Sequence, residues 1–161
     1  MNTLTAIALA VAAYVGMEVA AWAIHRWIMH GSGWNWHESH HRPRTGRFER
    51  NDRYVLIFSL IAVALFAIGT AVPGFTAVAI GVTAYGVAYF TMHEVLVHKR
   101  LPPPFTPRSG SYLAHLVAAH HLHHAVHTRQ GAVSFGFLSA PPLQRLRAQL
   151  RGVNRPPARP G

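Results

Sequence analysis

Cysteine is absent from the 161 residues, which excludes thiolate-ligated haem, cysteine-bound iron–sulfur clusters and any disulfide. No glycine-rich dinucleotide fingerprint and no P-loop occurs, so a redox reaction here would draw its electrons from another protein. Acidic residues number only five: Glu18, Glu38, Glu49, Asp52 and Glu94. Paired Glu-x-x-His motifs, which carboxylate-bridged di-iron bundles require, are missing. Charge of either sign is missing from long stretches. Thr3 to Ile24 is apolar apart from Glu18, and neither Tyr54 to Val72 nor Phe75 to Met92 contains a charge.

Those apolar runs are each about long enough to cross a hydrocarbon core of roughly 30 Å. They predict an all-α integral membrane protein of one domain, residues 1–161, with spans at about 3–24, 54–72 and 75–97. The first run has neither the basic start nor the small-residue cleavage site of a signal peptide and leads straight into histidine-rich sequence, so it is expected to be retained. All fifteen Lys and Arg fall between Arg26 and Arg53 or between Lys99 and Arg159. The positive-inside rule then puts the amino terminus and the Pro73-Gly74 turn outside, with segments 25–53 and 98–142 in the cytoplasm. The net charge of +10 is explained by that bias and by anionic lipid; no nucleic-acid-binding motif accompanies it.

What the chain does have is histidine. Ten of its thirteen lie in two box types that recur in the same order: His25-x4-His30 then His37-x-x-His40-His41, and His93-x4-His98 then His120-x-x-His123-His124. Neutral imidazole binds iron, zinc, copper or nickel without a buried charge beside it. One zinc uses three or four ligands, so ten histidines point to two metals. Residues i, i+3 and i+4 share a helical face, so each HxxHH box is expected to point one way. Residues five apart differ by about 140° on an α-helix. The members of each Hx4H pair therefore face different metals, or the helix loosens between them. Chance spacing explains any single histidine, but not a repeated four-box pattern at one membrane face.

Other residues carry weaker expectations. Glu18, about two turns before His25 on the same face, is an intramembrane carboxyl and a functional candidate by default. Glu38 and Glu94 are placed to hydrogen-bond a ligand's free N–H, with solvent exposure as the alternative. Tyr89, one turn before His93, faces either the same cavity or plain packing. His115, His121 and His127 lie outside the boxes and are expected in supporting or solvent positions. Trp22, Trp27, Trp34 and Trp36 mark the inner boundary of the first span. Asn51-Asp52 is expected to cap the second span, and four prolines between Leu101 and Pro107 end the third. Leu113 to Val126 is predicted helical. A basic tail, 143–161, begins with the amphipathic stretch Leu143 to Leu150, expected on the membrane surface, and ends in a disordered stretch, Asn154 to Gly161.

In the segments HRWIMHGSGWNWHESHHRPR (His25 to Arg44), ND-x-Y (Asn51 to Tyr54), HEVLVHKR (His93 to Arg100) and AHHLHHAVHTRQGAVSFGFLSAPP (Ala119 to Pro142), the chain resembles the membrane-bound fatty acid hydroxylases and sterol desaturases. Within that superfamily the resemblance is closer still to the bacterial β-carotene hydroxylases. The resemblance implies two irons held by His25, His30, His37, His40, His41, His93, His98, His120, His123 and His124, with zinc able to take their place. It implies O2 as co-substrate and oxygen insertion at carbon 3 of a carotenoid β-ionone ring, giving β-cryptoxanthin and then zeaxanthin. It further implies a ferredoxin-type donor with its reductase and a multi-pass position in the inner membrane, the metal site facing the cytoplasm. The same chemistry on a fatty acyl chain, a sterol or a ketocarotenoid is the first alternative. A metal transporter is the distant one, and it would call for more ionisable residues inside the spans than Glu18 alone.

Overall fold

The structure is a computed structural model and describes residues 1–153; the stretch Asn154 to Gly161, expected to be a tail, lies outside them. Every regular element among the described residues is helical. Helix α1 (Thr3–Ala23) is capped by Asn2, whose Oδ1 accepts from the Thr5 N–H at 2.8 Å. It continues into a π-helical stretch, Ile24–Ser32, whose backbone kinks at Gly31 (φ −114°, ψ −120°). A short helix α2 (Trp34–His37) runs into a 3-10 turn, Glu38–His41. Helices α3 (Asp52–Gly69) and α4 (Phe75–Tyr89) follow, and α4 passes into a second π-helical stretch, Phe90–Val97. Helices α5 (Tyr112–His124) and α6 (Leu143–Val153) complete the set.

Three helices are long and apolar enough to cross a membrane: Thr3–Ser32, Asp52–Gly69 and Phe75–Val97. Their apolar residues are largely exposed, as a lipid-facing surface requires; Leu4, Ile7, Val11, Val15 and Val19 line the outside of α1. The chain is thus an integral membrane protein. Its first span is longer than the 3–24 expected, because the helix carries on through both histidines of the first pair. Its second begins at Asp52 and ends at Gly69, before the Pro73-Gly74 turn.

Helix α4 packs on both α1 and α3. The α1–α4 crossing is close because Gly81 faces Ala10 and Ala13; a Cβ on residue 81 would run into the Ala10 carbonyl. The remaining elements fold over the histidine-bearing ends of the spans. Tyr54 at the start of α3 donates to the Gly33 carbonyl at 3.0 Å, tying α2 to the second span. Helix α6 places Leu146, fully buried, against Ala119 of α5 and Val133. Its apolar residues Leu143, Leu146 and Leu150 therefore pack on protein, where the sequence suggested a membrane-surface helix.

Candidate metal centre

The five-residue spacing of the first and third boxes is resolved by helix geometry. Both pairs sit where the backbone leaves the α form for i→i+5 hydrogen bonding: His98 N–H donates to the His93 carbonyl at 3.0 Å, and Gly33 N–H to the Ile28 carbonyl at 2.8 Å. In such a helix residues five apart stack on one side, so the loosening alternative holds. His25 and His30 have ring centroids 5.3 Å apart, and His93 and His98 4.5 Å apart.

All ten box histidines converge. His25, His30, His37 and His123 present ring nitrogens within 4.8 Å of one another, and so do His40, His93, His98, His120 and His124. His41 lies between the two groups, close to His123 and His124, with its Nε2 3.2 Å from that of His37. Each HxxHH box is divided. His37 goes to the first group and His40 to the second; His123 goes to the first, His120 and His124 to the second. Each HxxHH box was expected to point one way; in the structure its three imidazoles are divided between the two groups.

The hydrogen bonds at Nδ1 fix what the other nitrogen can do. His25, His30, His41 and His123 direct Nδ1 at the backbone carbonyls of Phe135, Arg129, Val126 and Val133, at 2.7 to 3.0 Å. His37 reaches Asn51 Oδ1 at 2.8 Å, His40 reaches Glu49 Oε2 at 2.9 Å and His93 reaches Glu94 Oε1 at 2.7 Å. All seven partners are oxygen acceptors, so each Nδ1 carries the proton and donates it. Each Nε2 is then a bare lone pair. Yet His25 Nε2 lies 3.1 Å from His37 Nε2, His30 Nε2 3.2 Å from His123 Nε2 and His40 Nε2 3.0 Å from His93 Nε2. Neither member of these pairs has a hydrogen to share. Lone pairs facing each other at that range repel unless a cation sits among them, so both donor groups fit a metal.

Charge state agrees. Burial pushes His40, His120, His123 and His124 well below the ordinary imidazole range. Burial likewise takes His37 to about 2, His98 to about 3 and His41 to about 4. At neutral pH these imidazoles are uncharged.

A shell of carboxylates and amides orients the rings. Glu94 accepts from His93 and, through Oε2, from Arg100 at 2.9 Å. Arg100 grips Asp52 with both terminal nitrogens, at 2.6 and 2.7 Å. Tyr89 donates to Glu94 at 3.4 Å and lies flat on His93, centroids 4.8 Å apart. Glu38 takes no part. Although Glu38 and His41 have the Glu-x-x-His spacing, the Glu38 carboxylate turns outward to Arg42 at 3.0 Å. Asn51 does not cap α3; its Oδ1 is committed to His37. Two orienting side chains, Glu49 and Asn51, escaped the sequence reading. In a chain with five acids, the presence of Glu49 eight residues after a histidine box was the available signal. Of the histidines outside the boxes, His121 is exposed and His115 donates to the Ala140 carbonyl at 3.3 Å.

The segment Val133 to Leu138 has a definite job. Its carbonyls at Val133 and Phe135 hold His123 and His25. Phe137 stacks on His25, centroids 5.0 Å apart and planes 11° from parallel, and meets His93 at 5.2 Å. Glu18 reaches this segment from within the first span, accepting from the backbone N–H groups of Phe137, Leu138 and Ser139.

Beside the histidines lies a cavity of ≈ 510 Å³ between α1, α3 and α4. Met17, Ala21, Phe58, Ala62, Phe66 and Val87 are among its mostly apolar walls, and Tyr89 and Phe137 belong to it as well. Two of the rings that line the cavity therefore stack on imidazoles, one from each histidine group.

Residues 10–142 match the fatty acid hydroxylase family. A β-carotene hydroxylase of Pantoea ananas is 50% identical over 138 residues, which cover 85% of this chain and 78% of the relative. A β-carotene hydroxylase of Pseudescherichia vulneris is 50% identical over 147 residues, covering 90% and 83%. A chloroplastic β-carotene 3-hydroxylase of Arabidopsis thaliana is 42% identical over 141 residues, covering 83% of this chain and 44% of the plant protein. No solved structure matches the chain. With the histidine cluster, the three spans and the match over residues 10–142 in agreement, the chain belongs to the fatty acid hydroxylase family of membrane enzymes.

Proposed function

We propose that the protein hydroxylates carbon 3 of the β-ionone rings of carotenoids, converting β-carotene to β-cryptoxanthin and then zeaxanthin. The observation that carries this reading is the cavity: an apolar space between membrane spans whose walls include Phe137 and Tyr89, rings that stack on His25 and His93. A carotenoid is an apolar rod dissolved in the bilayer, and such a space takes one of its ends to the histidine cluster while excluding water. The β-carotene hydroxylases among its relatives support the same substrate class.

The overall reaction inserts one oxygen atom of O2 into a ring C–H bond and reduces the other to water, consuming two electrons and two protons. The ring C–H has no acidic proton, so proton transfer alone cannot break it. Two irons, which His25, His30, His37 and His123 on one side and His40, His93, His98, His120 and His124 on the other would hold, with His41 between the groups, would supply the activation of dioxygen. The chain's own part is to place and exclude. Backbone carbonyls, Asn51, Glu49 and Glu94 fix the imidazole orientations, and Tyr89 and Phe137 hold the substrate end. The electrons would come from a ferredoxin-type carrier with its reductase, drawn to a cytoplasmic face rich in arginine. The whole chain would act as one domain in the inner membrane, with the histidine cluster on the cytoplasmic side.

The test is expression in bacteria that accumulate β-carotene, with pigments separated by chromatography from cultures grown with and without oxygen. Oxygen-dependent zeaxanthin is expected. Unchanged β-carotene, with the protein present and iron-loaded, would move the substrate to another membrane lipid.

A further inference from the structure

Glu18 is the one acidic side chain of the first span, and the histidines do not use it directly. Its Oε1 accepts the backbone N–H groups of Phe137 and Leu138 at 3.1 Å and of Ser139 at 2.9 Å, and the Ser139 hydroxyl at 2.8 Å. Its Oε2 accepts the Tyr85 hydroxyl at 2.8 Å. No cation pairs with it among the described residues. Three successive amides turned toward one oxygen form an anion-binding concavity, and Gly136 makes room for it: a Cβ there would meet the Ser139 carbonyl and Glu18 Oε1.

A carboxylate in a span is costly to keep unless it is fully engaged, and an apolar side chain would pack there without that cost. The distinctive consequence of this carboxylate is where the turn sits. Its first residue, Phe137, lines the cavity, lying on His25 and edge-on to Tyr89 at 4.8 Å. Tyr85, the other partner, lines the same cavity one helical turn before Tyr89.

We propose that Glu18 is a positioning residue: by holding the Phe137–Ser139 turn it sets how far the substrate end advances toward the histidine cluster, and so which carbon of that end is oxidised. This inference rests on the hydroxylase reading above. Glu18 touches neither substrate nor metal; it acts through Phe137.

The experiment compares the full-length wild type with Glu18→Gln and Phe137→Leu in β-carotene-accumulating cells, and measures amide hydrogen exchange on the purified proteins. Glu18→Gln keeps the shape and one acceptor oxygen, but sets an amide NH2 where a carboxylate oxygen was. Exchange at residues 137–139 should rise roughly tenfold or more, as expected for weakened hydrogen bonds to a charged acceptor. Both variants should shift the product pattern the same way, lowering the share of oxygen at carbon 3 several-fold and raising KM more than they lower kcat, with bound iron unchanged. Unchanged exchange in Glu18→Gln overturns the proposal, since the carboxylate then does not hold the turn. Wild-type product ratios in both variants also overturn it, as does a uniform loss of all products together with iron: the carboxylate would then serve folding alone. A wild-type chain that oxidises no lipid overturns the hydroxylase reading and this inference together. An active wild type with unshifted variants overturns the inference only.

Discussion

Asn51 Oδ1 accepts the Nδ1–H of His37 at 2.8 Å, and both side chains are buried. This one bond fixes the ring's tautomer and aims its Nε2 at His25 and His41, 3.1 and 3.2 Å away. Asn51→Ala leaves a buried N–H without a partner and frees the ring to turn. Metal affinity is expected to fall about 10- to 100-fold, measured by competition with a chelator of known affinity, with membrane insertion intact. Affinity equal to the wild type would show that the Asn51 contact does not orient a ligand.

His40 and His123 belong to different groups. His40→Ala and His123→Ala should each lower bound iron and abolish hydroxylation while the protein still inserts. Iron per chain, measured by elemental analysis on protein in detergent, gives the check. Full activity in either variant would remove that histidine from the centre.

Removing the metal should loosen the histidine-bearing ends of the spans. Lone pairs that face one another at 3.0 to 3.2 Å repel once the cation is gone, and a ligand bound only by the folded state stabilises it by mass action, about 2.7 kcal/mol at a hundredfold excess over Kd. Chelation is expected to lower Tm by several degrees and to speed exchange in α2 and α5 more than in the outer halves of α1 and α4. An unchanged melting curve would mean that the cluster is stable without a cation.

At the other side of the molecule, Gly81→Leu should be poorly tolerated. The added side chain meets Ala10 and Ala13 at the α1–α4 crossing, and overpacking typically costs 1–3 kcal/mol. A reduced yield of folded protein and a lower Tm are expected, with Gly86→Leu, where a Cβ meets nothing within 4 Å, as the comparison.

Much of this was legible in the sequence for a physical reason: side chains that must leave water for lipid, and imidazoles that must meet, leave regular spacing behind. The uncharged runs marked the three spans, and the two Hx4H pairs posed the choice that the π-helical stretches at His25 and His93 resolve. The division of each HxxHH box between two groups was not legible, because i, i+3 and i+4 positions point broadly the same way and only the tertiary fold separates His40 from His37. Nor were the carbonyls of Val126, Arg129, Val133 and Phe135, since a backbone acceptor has no residue identity to read. Glu49 was hidden for a different reason: its partner, His40, lies across a loop without regular structure. For Glu18 the sequence showed an unusual residue but not its partners, which lie 67 to 121 positions away.

The most direct test of the hydroxylase reading uses purified, iron-loaded protein in lipid, supplied with β-carotene, a ferredoxin-type donor with its reductase, and oxygen-18 gas. Expected are β-cryptoxanthin and zeaxanthin carrying one and two heavy oxygens, absent when His40 or His123 is Ala. Heavy oxygen on no carotenoid, with iron bound and the donor reducing it, would contradict the assignment.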